Sequence, residues 1–316
     1  MHSEVIRGLA ARLMVLLLAS MAGQALASEL GAPVKGQVYL IPSATFMGED
    51  DDAGIDSHVQ PTIGMVIFNW VDDEVAFFQE RRVRQALAAG LSRTSIIERQ
   101  LLGLAVRADS PLPVGSWAYL TDIPAEYPWP EADPAVARDL LARVQFEGEE
   151  GLPAFNILTP DVPALVGVAQ EIAAQWSQLG FTVEVESVPI ATYRERLAND
   201  DFDTALVEYA KNGSADPDVY AFWHQGQYPD GLNYGGANST RVSKLLERGR
   251  QDASGTNRLV HYHDFQRAFI QEALAIPLYA PLFTYVVADE VAGVQLGYIS
   301  RPSDRFLTLH DWRFVE

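Results

Sequence analysis

Hydrophobic positions recur with the spacing of helices and strands along most of the chain. The nearly continuous apolar run 63–69 has the length of a strand that is covered on both faces. Val83, Leu87 and Leu91 then follow four residues apart, which places them on one face of a helix. The pattern therefore predicts a buried strand at 63–69 followed by a helix at 82–91.

From residue 152 onward, the spacing switches regularly between strand and helix. The predicted strands are 154–159, 181–186 and 203–209, and the predicted helices between them are 163–179 and 190–198. A β-α-β-α-β order favours parallel strands joined by right-handed crossovers. We therefore predict an α/β fold.

Capping residues and prolines set the remaining boundaries. Ser92 is a predicted N-cap of a second helix, and Asp133 followed by Pro134 is typical of the start of another at 135–144. Six prolines between 108 and 134 exclude regular helix there. Towards the C-terminus we predict a loop rich in aromatic residues at 216–239, helices at 240–250 and 257–274, and two strands at 276–279 and 283–287.

Composition narrows the possible partners. The length of 316 residues is enough for one large lobe or two of ordinary size. Of these residues 48% are hydrophobic, which is enough for a substantial buried core. The formal charge of −19 argues against nucleic acid and against an anionic membrane surface. Cysteine is absent, so the sequence given has no disulfide, no thiolate metal ligand, no cysteine nucleophile and no cysteine to carry a lipid anchor.

The first 27 residues have the three parts of an export signal. Arg7 and Arg12 precede the apolar stretch 13–18, and Ala25-Leu26-Ala27 is a small-residue cleavage pattern. The 16 residues from 13 to 28 carry no charge and are shorter than the roughly 20 that a spanning helix needs. We predict a signal peptide at 1–27; the alternative is an internal helix rich in Ala and Leu. A short strand is predicted at 37–42.

Several short motifs occur in an order that is familiar. They are Phe68-Asn69, Arg82–Leu87, Ser92–Ile97, Ser110–Pro113, Asp133–Leu141, Trp176–Phe181, Asp201–Asp203, Asp216–Asp218 and Ala275–Tyr279. In order and spacing the chain resembles, from about 37 to about 297, the C-terminal portion of the family-5 solute-binding proteins of peptide-type ABC importers. No single motif is specific, and the family usually has Asp where Ser92 stands here, a change that keeps the helix cap.

The resemblance implies a type II periplasmic-binding-protein-like lobe, with a mixed sheet and flanking helices. Only about 60 residues precede the strand at 63, where the family usually has a large first lobe, so we expect that lobe to be largely missing. The expected domains are the signal peptide at 1–27, a remnant of the first lobe with the hinge strand at 28–69, a second solute-binding lobe at 70–276, and a return segment at 277–316.

The resemblance also implies function. We expect an exported, periplasmic or cell-surface protein, monomeric and without a cofactor, that binds a peptide or similar small solute in a hinged cleft and delivers it to an ABC permease. The alternatives are a truncated remnant that no longer binds and, less favoured, a secreted hydrolase. Among the 42 acidic residues any pair of carboxylates is expected by chance, and the sequence contains no nucleophile elbow, P-loop or dinucleotide-binding glycine motif.

The expected solute site is the loop after Tyr209, because α/β sheets present ligand sites at the carboxyl ends of parallel strands. Asp216 is predicted to accept a hydrogen bond from an ammonium group, a role that the resemblance supports; it equally suits a helix cap. The other candidates are Tyr220, Trp223 and Tyr234 for flat apolar contact, Asn233 for amide contacts, and Asn69 at a lobe crossing. Trp223 and Tyr234 also suit core packing.

Histidine spacing gives no metal site. His261 and His263 are two residues apart, so on a helix they point to different faces, and His224 and His310 stand alone. We therefore predict neither a metal nor a catalytic residue.

Overall fold

A seven-stranded mixed sheet organises the chain. The computed structural model describes residues 54–121, 132–146, 151–210, 216–287, 291–295, 299 and 302–314. The predicted signal peptide at 1–27 and the predicted strand at 37–42 lie outside these residues. The strands are β1 Gly54–Val59, β2 Thr62–Phe68, β3 Ala105–Arg107, β4 Ala154–Pro160, β5 Thr182–Val188, β6 Thr204–Ala210, β7 Ala275–Val287, β8 Val291–Ala292 and β9 Arg313–Phe314.

Helices pack against this sheet. They are α1 Arg81–Ala89, α2 Arg93–Gln100, α3 Pro134–Leu141, α4 Pro163–Ser177, α5 Ile190–Ala198, α6 Tyr220–Trp223, α7 Thr240–Gln251 and α8 Gly255–Glu272, with a 3₁₀ segment at Asp73–Gln79 before α1. The strand order is β1-β7-β2-β6-β4-β5, with β3 beside β7, and β8 pairs with β9 separately.

Strand direction divides the sheet into two parts. β4 pairs in parallel with both β5 and β6, which confirms the parallel β-α-β-α-β unit expected from the alternating pattern. β2 pairs antiparallel with β6 and with β7, and β7 pairs antiparallel with β1 and β3. The sheet is therefore mixed, as the resemblance implied.

Local capping explains where two helices begin. The Ser92 hydroxyl accepts a hydrogen bond from the backbone N–H of Ser95 at 3.2 Å. One Asp133 carboxylate oxygen accepts from the backbone N–H groups of residues 135 and 136, at 3.0 and 3.1 Å. Both predicted N-caps are confirmed. The last long helix starts two residues earlier than predicted, because Ser254 caps it.

The two strands predicted at 276–279 and 283–287 are wrong as separate elements, since β7 runs unbroken through both. Pro277 lies at a register shift in the pairing with β2, and proline is tolerated in sheets at such bulges. The first half of β7 pairs with β2 and the second half with β1. The domain boundary predicted after residue 276 therefore falls inside one strand, and the domain division stays a prediction.

The core lies in two layers, one on each face of the sheet. Strand alternation in β2 sends Val66 towards α1, α2 and α4, and sends Met65 towards α5, α7 and α8. In the first layer the fully buried Trp176 donates its indole N–H to the carbonyl of Leu87 at 2.9 Å. In the second layer Phe269 is fully buried. In the same layer the Tyr193 hydroxyl of α5 donates to the carbonyl of Leu206 in β6 at 2.7 Å, which fixes these two elements relative to each other.

A buried glutamine attaches the proline-rich segment to α8. The Gln266 side chain is 0% exposed, and its Oε1 accepts from the Ser110 hydroxyl at 2.6 Å and from the Leu120 N–H at 2.8 Å. Its Nε2 donates to the Ala118 carbonyl at 2.7 Å. The side chain therefore satisfies backbone groups that no sheet or helix ladder reaches.

Candidate functional site

A cavity of about 400 Å³ lies between β6 and α5. It reaches the carboxyl ends of the parallel strands, where Pro160 ends β4 and Tyr209 lies next to the end of β6. Helix α5 contributes Tyr193 and Leu197 to the opposite wall. The position agrees with the rule that open α/β sheets bind ligands beyond the carboxyl ends of their strands.

Aromatic rings form one wall of this cavity. The rings of Tyr209 and Phe222 lie with centroids 4.8 Å apart, and Trp223 packs edge-on against Phe269 at 4.6 Å. Tyr234 lines the same space from the loop that follows α6. Such rings offer flat apolar surface to a small ligand.

Two polar atoms of this wall are buried without a hydrogen bond of normal geometry among the described residues. They are the Tyr209 hydroxyl and the Trp223 indole nitrogen. Burial raises the pKa of the Tyr209 hydroxyl, and the neighbouring Trp223 side chain offsets this in part. Buried polar atoms in such a position can be satisfied by a bound solute.

Glu208, near the end of β6, is the acidic side chain of the cavity. It accepts a hydrogen bond from the hydroxyl of Tyr279 at 2.8 Å, and the Tyr279 ring is fully buried. Burial raises the pKa of Glu208 from 4.5 to about 7, although the Tyr279 hydrogen bond works in the opposite direction. The carboxyl group is therefore poised to change charge near neutral pH.

A glycine makes this hydrogen bond possible. Gly64 in β2 lies opposite Glu208 in the register, and a Cβ atom there would lie 2.3 Å from the ring of Tyr279. The absence of a side chain lets the Tyr279 ring lie across the strand and reach the carboxylate. Arg194, half-buried on α5, adds a guanidinium group to the cavity lining. The cavity thus combines apolar walls with one acidic and one basic side chain.

The sequence analysis missed Glu208, Tyr209, Phe222 and Arg194 as cavity residues. For Glu208 a signal existed: it is a charged side chain inside the otherwise apolar run 205–210. A charge there must either point to solvent or line a functional space. The other three are ordinary residues of a strand or helix, and only the packing of α5 and α6 on β6 brings them together.

Asp216 does not line the cavity. Its two carboxylate oxygens accept from one guanidinium nitrogen of Arg258, each at 2.9 Å, and one oxygen also accepts from the backbone N–H of Asp218 at 3.0 Å. Asp218 in turn accepts from the backbone N–H of Tyr220, at the start of α6. In this conformation Asp216 orders the loop before α6.

Tyr220 and Asn233, two further predicted residues, also lie outside the cavity. Tyr220 stacks on His224 with centroids 4.1 Å apart, and the guanidinium of Arg250 lies 3.8 Å from its ring centroid. Asn233 is buried and donates to the carbonyl of Ala237 at 2.9 Å. Tyr220 and Asn233 therefore stabilise the segment 220–237, which presents Trp223 and Tyr234 to the cavity.

Asn69 is fully buried at the end of β2, and its side-chain amide is engaged on both sides. The nitrogen donates to the carbonyls of Asp200 and Phe202, each at 2.8 Å, and the oxygen accepts from the backbone N–H of Val71 at 3.0 Å. Of the six predicted solute contacts, the structure thus brings two to the cavity, Trp223 and Tyr234.

Within the described ranges no group of three or more His, Cys, Asp or Glu side chains could hold a metal ion. His224 instead pairs with Glu247 at 3.0 Å, and His261 lies 3.5 Å from Asp252. No helix in the described part is both long and apolar enough to cross a membrane.

Comparison with known proteins gives the family context. Residues 15–230 match the family model of the bacterial extracellular solute-binding proteins, family 5 Middle. A probable di/tripeptide-binding protein of Pseudomonas aeruginosa is 29% identical over 226 residues, which are 70% of this chain and 41% of that protein. The chain therefore spans about half the length, or less, of the curated relatives it matches.

Solved structures show the same fold. The oligopeptide-binding protein AppA from Bacillus subtilis, in complex with a nonapeptide, superposes with a TM-score of 0.71 at 21% identity; the match covers 87% of this chain and 55% of that one. NikZ from Campylobacter jejuni, in complex with Ni(L-His), gives 0.71 at 19% identity, covering 93% and 59%. The type II periplasmic-binding-protein-like fold is therefore shared by proteins whose bound solutes differ.

Proposed function

The chain belongs to the bacterial extracellular solute-binding proteins of family 5, and we propose that its cavity between β6 and α5 binds a short peptide or a similar small solute. The observation that carries the proposal is the cavity itself. Its volume of about 400 Å³ lies within the range of small-ligand pockets. Its walls are mainly apolar, with few polar side chains to orient a ligand.

Each wall has a role in this proposal. Trp223 and Tyr234, with Tyr209 and Phe222, contact apolar parts of the solute. The Tyr209 hydroxyl and the Trp223 indole N–H, which lie next to each other, form hydrogen bonds with its polar groups. Glu208 accepts from a cationic or neutral donor. Arg194 faces the carboxylate end of a zwitterion. A peptide carries both charges, so this set of side chains suits one.

The remaining predicted contacts have a supporting role in the proposal. Asp216 can reach a solute only after it releases Arg258, and Asn69 only after it gives up its carbonyl partners. Direct contact by Asp216, Tyr220, Asn233 or Asn69 stays a prediction, and it would require a conformation different from this one.

We extend the proposal to the physiological setting. The protein is exported under a signal at 1–27, acts as a monomer, binds its solute in a hinged cleft without catalysis, and delivers it to an ABC permease. Relatives named as di/tripeptide-binding proteins support this setting. The alternative is a lobe that folds but does not enclose a solute.

The test is thermal unfolding of the purified chain with and without a pool of di- to hexapeptides. A binding-competent chain gains stability by mass action, so its midpoint rises with peptide concentration. Phe222→Ala removes a cavity ring and should abolish this rise. Tyr220→Ala removes a ring two positions earlier that faces Arg250, and should keep it.

Three results separate the possibilities. A midpoint shift that Phe222→Ala loses and Tyr220→Ala retains supports binding in this cavity. A shift that Tyr220→Ala alone abolishes would favour the site expected from the sequence. A cooperative transition that no peptide displaces would identify a folded lobe without solute binding.

A further inference from the structure

A second and larger cavity, of about 660 Å³, lies beyond the end of β2. Its walls come from the first turn of α1, the start of α7 and the last turn of α8. Among the described residues, none lines both this groove and the cavity between β6 and α5. We call it the arginine groove, because Arg81, Arg82, Arg84 and Arg241 all line it.

Four arginines in one groove are unexpected in this chain. Acidic residues outnumber basic ones by 42 to 23, whereas the groove has four arginines and two acidic side chains, Glu80 and Glu272. The groove is therefore locally positive on a strongly negative protein. Local positive potential inside a concave surface attracts and concentrates anions.

Arg84 is a fixed positive charge at the base of the groove. Its guanidinium donates to the backbone carbonyls of Phe78, Gln79, Glu272 and Ala273, at 2.5 to 2.9 Å. It also lies 3.8 Å from the ring centroid of Trp70. Burial lowers its pKa to about 9, which still leaves it charged at neutral pH. These carbonyls are neutral acceptors, so they orient the charge without cancelling it.

The arginines at the mouth are exposed and can turn towards a ligand. A guanidinium nitrogen of Arg82 lies 3.4 Å from a carboxylate oxygen of Glu80, and both side chains are about half exposed. The guanidinium of Arg241 donates to the side-chain oxygen of Gln271 at 2.8 Å. Exposed contacts of this kind are weak, so they do not hold the two arginines in place against a ligand. The indole nitrogen of Trp70 is an additional buried donor without a partner among the described residues. Donors thus predominate around the groove.

We propose that the arginine groove binds a small polyvalent anion, of the di- or tricarboxylate or phosphate class. Arg81 and Arg241 approach from opposite walls and clamp it above the fixed charge of Arg84. An anion with two or more charges bridges several guanidinium groups at once and gains from each of them. The proposal is independent of solute binding in the other cavity.

The test is isothermal titration of the purified chain with citrate and, separately, with inorganic phosphate, at an ionic strength held constant with sodium chloride. We expect saturable binding of at least one anion, weakened at least tenfold in the double variant Arg81→Ala/Arg241→Ala. The matched control is Arg99→Ala/Arg143→Ala, which removes two arginines that are 70% and 63% exposed and also lie near acidic partners. It should change affinity less than twofold.

The outcomes are decisive in both directions. Absence of saturable heat with both anions overturns the proposal, and so does equal weakening in the groove variant and in the control, which would report general charge. A second arm uses vesicles of phosphatidylglycerol and of phosphatidylcholine. Binding to the anionic vesicles without binding of the free anions would replace a small-anion site by a lipid surface. Phe222→Ala should leave anion binding unchanged, whatever it does to peptide binding.

Discussion

Replacement of Glu208 by glutamine tests the central electrostatic feature of the cavity between β6 and α5. Glutamine has the same shape and can still accept the hydrogen bond from the Tyr279 hydroxyl, but it cannot ionise. In the wild-type protein burial raises the pKa of Glu208 from 4.5 to about 7. The folded state therefore holds the proton more tightly than the unfolded state does.

The sign of the pH dependence follows from this difference. Stability conferred by the protonated carboxyl is fully present below pH 4.5 and is lost as the pH rises towards the folded-state pKa near 7. A pKa difference of this size corresponds to roughly 3 kcal/mol of free energy of unfolding. We expect the wild-type protein to lose up to about that much from this group between about pH 5 and pH 8.

The assay is urea unfolding of wild-type and Glu208→Gln proteins across this pH range. The two should have similar stability at about pH 5, and the variant should be more stable by about 2–3 kcal/mol at about pH 8. Glu195→Gln, on the exposed side of α5, is the matched control and should follow the wild-type curve. Parallel curves for wild type and Glu208→Gln would refute the account of Glu208 as a partly buried carboxyl that is costly to ionise.

Three further predictions concern packing and capping. Gly64→Ala should cost about 1–3 kcal/mol in urea unfolding, because its Cβ would overlap the buried ring of Tyr279; an unchanged midpoint would mean that the ring moves freely. Gln266→Leu should cost about 3 kcal/mol and speed proteolysis of the proline-rich segment, since three buried partners lose their hydrogen bonds. Asp133→Ala should cost about 1 kcal/mol by thermal unfolding, because two N–H groups lose their cap. Asp139→Ala on the same helix is its control.

The sequence was informative wherever a few neighbouring residues decide the structure. Ser92 and Asp133 act within one helical turn, so their caps are readable from the chain alone. The parallel unit from β4 to β6 was predicted for a similar reason, since the alternation of periods covers 50 consecutive residues or more. The continuous strand β7 was not predicted. Its first half pairs with β2 and its second half with β1, and both partners lie about 200 residues earlier in the chain.

The candidate site was harder to predict because its side chains compete for partners that sequence does not reveal. Asp216 was a reasonable acidic contact by motif, yet Arg258, 42 residues later, holds both of its oxygens. Glu208 was predicted only as one residue of the strand 203–209. It became a cavity residue because Gly64 lets Tyr279 lie across the sheet and give the carboxylate a neutral hydrogen-bond donor in place of a cation.

The different partners of Asp216 and Glu208 decide which of the two carboxylates a cationic solute would contact. An acid already paired with arginine has little to gain from a ligand ammonium group, since binding must first break a charge-assisted contact. An acid held by a phenol and raised in pKa by burial gains much more, because a cation relieves the cost of ionising it. Between Asp216 and Glu208, the physical chemistry therefore favours Glu208 as the side chain that meets a positively charged solute. A cationic solute should in turn hold Glu208 ionised at a pH where the empty cavity keeps it protonated.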